Sequence, residues 1–524
     1  MDSIFCDNTT RSGIGRTDIA NEGEQLAGGV ALADFDGDGD LDIYVTGLNI
    51  DGTYYSNDGT GVYSDETATA GLTGVNRTSG VAAADLDGDG DSDLVFTGAG
   101  AKTRLFENNG SGVFTEVVDA FGTALAWSTG VSIGDYDNDG DVDVFVARAF
   151  DVTLMAAETN QLFRNDGSLS FTDVSVAAGI PNQADATVAA VFADFDGVNG
   201  LDLFIANDGG PLVFGNVDLR NDGAGNLSVT AAGAELEMFA RGAGVGDFDN
   251  DGDPDLYISD LGNNVLLQND GSGRFTDVAE ITAAKAGSYV DVEDPVDPMP
   301  DIDETLFPEL WDWSLRALSF SDGRHATTTW APLWLDYDQD GWLDLYACNG
   351  FLGLVGFEIE GRRQPNFMLH GRGDGLFEDV SATNNSADTG DARGCAVGDI
   401  DGDGDLDLVI ANVGYAGDIT GGRFVILRND AADGGYLRIA LDGVTANKQG
   451  LGAKVEVTIA GDTQTRWIST NSGGLSSRSP VAHFGVASAK MADTIVITWP
   501  SGTVDTLTNE IVGRTITVVE GSSP

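Results

Sequence analysis

The stretch ADFDGDGDLDIYVTG, residues 33–47, decides how the rest of the chain is read. Carboxylates stand at Asp34, Asp36, Asp38 and Asp42, Gly39 lies between them, and an alternating apolar run follows. Hard oxygen donors at alternating positions wrap a single Ca²⁺, and the glycine permits the sharp turn between them. A helix–loop–helix calcium site would close on a bidentate glutamate at position twelve of the loop. Here that position is Val45, and the residues after the loop alternate as a strand does. The loop therefore joins two β-strands.

The pattern occurs seven times. The further ligand sets are Asp85, Asp87, Asp89 and Asp93; Asp135, Asp137, Asp139 and Asp143; Asp194, Asp196 and Asp202; Asp247, Asp249, Asp251 and Asp255; Asp336, Asp338, Asp340 and Asp344; and Asp399, Asp401, Asp403 and Asp407. The fourth loop departs from the pattern: Val198 holds position five and the glycine has slipped to Gly200. About six strong calcium sites and one weak one are expected, since the fourth loop loses a side-chain ligand. With a Kd of about 10 μM and about 1 mM Ca²⁺, each occupied site adds ~2.7 kcal/mol to folded stability. The ion is then a staple and no loop is catalytic.

Each loop strand leads into a hairpin such as LFENNGSGVFTEV (105–117) or LLQNDGSGRFTDV (266–278), whose turns are rich in Asn, Asp and Gly. Four strands per repeat and seven repeats predict an all-β chain built around a seven-bladed β-propeller with calcium loops. The seventh repeat lacks its outer strand, and SIFCDNTTRSGI (3–14) has that strand's pattern, so the N-terminal strand is expected to complete the last blade.

The composition narrows the function. The formal charge is −59, and seven divalent cations would still leave −45. Nucleic acid and anionic lipid surfaces are poor partners for such a chain. No apolar run is long enough for a membrane helix, and MDSIFCDNTT has neither the basic nor the apolar region of a leader. Three cysteines, Cys6, Cys348 and Cys395, make no disulfide framework. Cys348 and Cys395 could meet between adjacent blades, but buried free thiols are the default expectation.

The domains are expected at 1–433 for the propeller, with an insertion at about 285–324, and at 434–524 for a small all-β domain, where YLRIAL, KVEVTI and DTIVITW alternate as strands. The insertion carries Asp291, Glu293, Asp294, Asp297, Asp301, Asp303 and Glu304, then Trp311 and Trp313, which argue for a short ordered segment over one face.

The loops together with the N-D-G-S-G-x-F-T-D-V hairpins resemble FG-GAP/VCBS repeats, the propeller units also found in integrin α heads. The C-terminal segment resembles the ASPIC/UnbV domain through Leu441-Asp442-Gly443, Asn447, GLGAKVEV (450–457), His483-Phe484-Gly485 and Trp499-Pro500-Ser501-Gly502. Together they resemble the bacterial family of cartilage acidic protein 1-like proteins. That resemblance implies a calcium-binding, secreted or periplasmic protein with its ligand site on the face opposite the calcium loops.

Strand geometry maps that face. The residue six before each first aspartate begins the inner strand, giving Gly28, Ser79, Thr129, Val188, Arg241, Trp330 and Arg393. The residue thirteen after it ends the second strand, giving Gly47, Gly98, Arg148, Asn207, Asp260, Asn349 and Asn412. Arg241, Trp330 and Arg393 would therefore converge, the guanidiniums to hold an anionic group or else to pair with neighbouring carboxylates of this acid-rich chain, and the indole to form an apolar wall. Trp311 and Trp313 would extend that wall. Two functions follow. One is a monomeric binding module for a glycan, a peptide or a small anionic or apolar ligand. The other is a lyase, cyclase or hydrolase whose protons move on His325, Asp291, Glu293, Asp294, Asp301 or Asp303. No G-x-S-x-G, HExxH, P-loop or dinucleotide fingerprint is present. His370, at the Asn of a hairpin turn, and His483 read as structural, and Arg372-Gly373-Asp374 reads as a turn.

Overall fold

A computed structural model describes residues 4–14, 28–48, 50–151, 156–182, 186–198, 200–208, 215–285, 290–291, 324–325, 327–350, 364–413, 422–430 and 434–523. Apart from two four-residue helices the described chain is β-structure. Each repeat forms a four-stranded antiparallel unit. In the first, Val30–Ala33, Asp42–Val45, Thr53–Asn57 and Tyr63–Asp65 pair in that order. Ala33 pairs with Asp42, so the loop is the turn between the two inner strands. Gly39 sits at φ +98°, a conformation open to glycine and strained for other residues.

Seven such units are present among the described residues. The innermost strands of units one to seven neighbour one another in a closed cycle, the seventh returning to the first. They are buried almost throughout, and along their whole length in Thr78–Ala84, Thr187–Ala193 and Ala392–Gly398. Their alanines and glycines fit a position where strands crowd toward an axis. The N-terminal strand Phe5–Asp7 pairs with Phe424–Asn429 and completes the seventh unit, as the sequence predicts.

The Asn of the N-D-G turn has a second task. Its side-chain amide donates to the loop backbone of the preceding unit: Asn108 to Phe35, Asn165 to Leu86, Asn221 to Tyr136, Asn269 to Phe195, Asn429 to Tyr337 and, closing the ring, Asn57 to Ile400. In the sixth unit Gly371 stands at this position, so the clip between units five and six is missing. Between units six and seven lies a covalent link. Cys348 and Cys395 are disulfide-bonded, which corrects the expectation of free thiols. They lie on second and inner strands of neighbouring units, close enough to bridge. Cys6 is free and exposed.

The C-terminal region forms two sheets. Tyr436–Asp442 pairs with Ala482–Gly485 and Arg514–Val519, while Asp462–Trp467, Lys454–Ile459, Met491–Thr498 and Val504–Ile511 make the other. Leu437, Val455, Ile495, Ile497 and Trp499 are buried in one core that continues into units two and three. The ends of the long insertion pair as Val290–Asp291 with Arg324–His325. The rest of it, with Glu293, Asp294, Asp301, Asp303, Trp311 and Trp313, lies outside the described residues, as do the side chains of Asp291 and His325.

Candidate metal loops and channel site

In each loop the ninth-position aspartate anchors the structure. Asp42 accepts backbone N–H bonds from Phe35 at 3.0 Å and Asn57 at 2.8 Å, and the Tyr54 hydroxyl at 3.0 Å. The same pair of backbone donors recurs at Asp93, Asp143, Asp202, Asp255, Asp344 and Asp407. The first aspartate folds the loop: Asp34 accepts N–H bonds from Gly37 and Gly39. Position five caps the next turn, as Asp38 does for the Asp40 amide at 3.0 Å. Positions one, three and nine converge, with carboxylate oxygens of Asp34, Asp36 and Asp42 within 4.8 Å of one another, and likewise for Asp85, Asp87 and Asp93 and for Asp135, Asp137 and Asp143.

Two observations make these oxygens suit a cation. Asp137, Asp249, Asp338 and Asp401, all at position three, each keep one buried oxygen without a hydrogen-bond partner. Burial, followed by the neighbouring carboxylates, also pushes the acids up. Asp42 reaches about 7, Asp93 about 8 and Asp255 about 9, against the pull of the backbone donors. A positive charge among them would stabilise such donor sets as anions.

In the fourth loop the chain supplies that charge itself. Arg220 Nη1 donates to Asp202 at 2.9 Å and Nη2 to Asp218 and the Gly273 carbonyl at 2.8 Å. Its guanidinium lies 5.2 Å from the Phe195 ring and 5.7 Å from that of Phe275. The residue before the clip asparagine thus faces the loop, and its identity varies by unit. Ser56 and Gln268 donate to Asp36 and Asp249, while Arg428 donates to Asp401 at 3.2 Å. In the sixth unit this position is His370, which corrects its placement at the asparagine: Gly371 is there instead. His370 Nδ1 lies 3.1 Å from Asp344 and 3.5 Å from Asp338. The hydrogen bond to Asp344 raises the imidazole to about 9.

At the other end of the ring the structure brings Arg241, Trp330 and Arg393 together. The Arg393 guanidinium is 4.3 Å and that of Arg241 5.0 Å from the centre of the Trp330 ring. The inner strands are bulged here, between Thr329 and Ala331 and between Ala392 and Gly394. A bulge leaves one residue out of the ladder and re-aims its side chain, and those residues are Trp330 and Arg393. Arg241 pairs with Asp208, a residue the sequence reading passed over, although it follows the predicted rim residue Asn207. Burial pushes Asp208 up to about 6 against Arg241, and Asp260 up to about 7 against backbone donors and the same guanidinium. One oxygen of Asp260 has no hydrogen-bond partner. Arg148 is tied to Ser128 at 2.6 Å and to Gln161, apart from this cluster.

The C-terminal region closes the ring from the loop side, which nothing in the strand pattern predicts. The segment Asn471–Ser477 enters the axis and bonds to inner strands around it. Val81 N–H donates to the Leu475 carbonyl at 3.0 Å and Ala243 N–H to that of Gly473 at 3.2 Å. Val30 donates to the Ser476 hydroxyl and Ala83 to that of Ser477. Inner strands are edges on the axis side, and this hairpin satisfies groups they would leave unpaired. The contact demands glycine: a Cβ on Gly29 would come within 2.5 Å of the Leu475 carbonyl oxygen, and one on Gly242 within 2.3 Å of that of Gly473. Glycine at that place in five of the seven inner strands (Gly29, Gly80, Gly130, Gly242, Gly394) was the readable signal.

These loops and this ring define a repeat protein of the FG-GAP type: FG-GAP-like repeats match at residues 34–96, 85–146, 247–297 and 336–410. The chain ends in a domain that matches ASPIC and UnbV at residues 443–524. The fourth loop falls outside the matched segments. Over its length the chain is similar to cartilage acidic protein 1. Identity is 25% with the Homo sapiens protein over 518 residues, covering 91% of this chain and 69% of that one. It is 26% with the Mus musculus protein, covering 91% and 71%. Among solved structures it is similar to an Agrocybe aegerita lectin specific for non-reducing terminal N-acetylglucosamine, at TM-score 0.41 and 18% identity, covering 77% of this chain and 95% of that one. A Bacillus licheniformis rhamnogalacturonan lyase gives TM-score 0.37 and 12% identity, covering 77% and 72%. No described helix is long and apolar enough to cross a membrane.

Proposed function

We propose that the seven units are the blades of a closed propeller, stapled by Ca²⁺, whose channel end opposite the loops binds a glycan, a peptide or a small anionic ligand. The observation that carries this is the meeting of Arg241, Trp330 and Arg393 from three successive units, with two guanidiniums against one indole. A guanidinium pairs in bidentate fashion with carboxylate or phosphate; here both guanidiniums lie over the indole, and all three side chains are buried. The plug Asn471–Ser477 bonds to the inner strands on the loop side of the axis, which leaves the other face for a ligand. Calcium fits the loops because the aspartates that would hold it are hard oxygen donors on flexible turns; in the sixth, the His370 ring nitrogen also stands beside Asp338 and Asp344. The Cys348–Cys395 disulfide suits an oxidising compartment, in keeping with a secreted or periplasmic protein.

A second reading rests on Asp260. A carboxyl pushed to about 7, with one oxygen unpartnered and a guanidinium near, is poised to give or take a proton. Asp208 and Asp260 would then serve a lyase, cyclase or hydrolase. The test screens the calcium-loaded protein against glycans and small carboxylic acids by native mass spectrometry, beside Trp330→Phe and Arg393→Gln. A ligand retained by the wild type and lost from both variants supports the site. Unchanged binding in both removes it. Turnover abolished by Asp260→Asn with binding kept would favour the enzyme.

A further inference from the structure

The C-terminal sandwich does not seat flush on the loop face. Two adjoining cavities of about 90 Å³ and about 50 Å³ lie between them. Arg478 lines both, and Arg466 lines the larger. Trp334 and Trp467 are walls of both cavities, and Ser469 borders both.

The two arginines are poorly matched to their surroundings. Arg478 has one side-chain hydrogen bond, to the Trp334 carbonyl at 3.4 Å. Arg466 bonds to the Thr465 carbonyl at 2.8 Å and to Gln464 at 3.4 Å, and its guanidinium lies 5.4 Å from the Phe484 ring. Among the described residues neither has a carboxylate within 4.0 Å. This happens in a chain with 85 acidic residues. Burial and then the repulsion of Arg466 lower Arg478 to about 10, while burial lowers Arg466 against the pull of Asp336, Asp247 and Asp344. Two carboxylates also line the larger cavity: Asp399, which pairs with Arg438, and Asp336, which accepts backbone N–H bonds from Gly341 and Gly485. Asp336, Asp247 and Asp344 act on Arg466 from beyond contact distance, and Arg478 is left with no carboxylate in contact; a half-buried guanidinium in that position is costly unless an anion or several waters complete its hydrogen bonds. The larger cavity has room for more than one water.

We propose that this inter-domain cavity binds a compact oxyanion, such as sulfate or a small carboxylate, on the guanidiniums of Arg466 and Arg478, with the Ser469 hydroxyl beside it. The anion ties the C-terminal sandwich to the loop face. Its place is separate from the Arg241–Trp330–Arg393 cluster and does not depend on what that cluster binds.

The experiment is thermal unfolding of the calcium-loaded full chain in chloride buffer, titrated with sulfate or with acetate at constant ionic strength. The wild type is expected to gain stability along a saturable curve in the low millimolar range with at least one of the two anions. Arg478→Gln should raise the half-saturation concentration at least tenfold while leaving the calcium count by mass spectrometry unchanged, and Arg478→Lys should fall between. Saturation with sulfate alone assigns a tetrahedral dianion, and with acetate alone a carboxylate; either supports the site. Sulfate also stabilises proteins generally by exclusion from their surface, but without saturation. A response in the wild type that is linear, or that Arg478→Gln and Arg478→Lys both reproduce, overturns the proposal and leaves a water-filled cavity.

Discussion

Replacing Arg220 by serine tests whether the fourth loop carries its own cation. Asp202 and Asp218 are wholly buried, and Arg220 bridges them at 2.9 and 2.8 Å. Without it Asp202 keeps two backbone donors, from Phe195 and Asn221, while Asp218 loses its only side-chain partner. Removing one partner of a buried ion pair costs about 3–5 kcal/mol. Even beside Arg220, burial holds Asp202 at about 6 and Asp218 at about 7. The loss should therefore be larger at pH 8, where both must ionise, than at pH 5.5. Urea unfolding in chelator at the two pH values reads it. In Arg220→Ser with Val198→Asp, position five of the loop regains a carboxylate and an ion can enter the vacated place. Calcium at a hundredfold its Kd would then return about 2.7 kcal/mol. A loss below ~1 kcal/mol in chelator, the scale of an exposed pair, would refute the reasoning. So would a calcium response equal to that of Val198→Asp alone.

Three further outcomes are expected. In chelator, stability should fall as pH rises from about 4 to about 9, on the order of several kcal/mol. The folded protein there binds more protons than the unfolded chain, because Asp42, Asp93, Asp255 and Asp344 are raised to between about 7 and 9. Calcium should flatten that slope, and urea midpoints at pH 5.5 and 8.5 check it. Asn165→Ala should lose ~2 kcal/mol by leaving the Leu86 and Val142 carbonyls buried without a donor. The exposed turn residue Asn109→Ala should stay within ~0.5 kcal/mol. Cys348→Ser with Cys395→Ser opens a loop 47 residues long, for which chain entropy gives ~4 kcal/mol. Reductant should lower the melting temperature of the wild type and not of the double variant.

Much of this architecture is legible in the residues because it repeats. Aspartates at fixed spacing mark each turn, and the hairpin sequences mark the outer strands. The pattern at 3–14 shows which strand closes the ring. The convergence of Arg241, Trp330 and Arg393 follows from counting along strands, although the bulges that turn Trp330 and Arg393 out of the ladder do not. What stays hidden depends on cross-strand register. Arg220 meets Asp202 only because their strands pair, and a turn asparagine becomes an inter-unit clip only when the loop of the preceding unit is in place. The plug is hidden for another reason: NSGGLSS has no periodicity, and most of its partners are backbone groups. The tryptophans of the insertion and the side chains of its acids lie outside the described residues.

Native mass spectrometry of the intact protein, with and without chelator, tests the central claim most directly. Several calcium ions are expected, six at most because Arg220 fills the fourth of seven loops, all removed by chelator together with much of the thermal stability. A protein that carries no calcium, and whose melting temperature ignores the chelator, would contradict it.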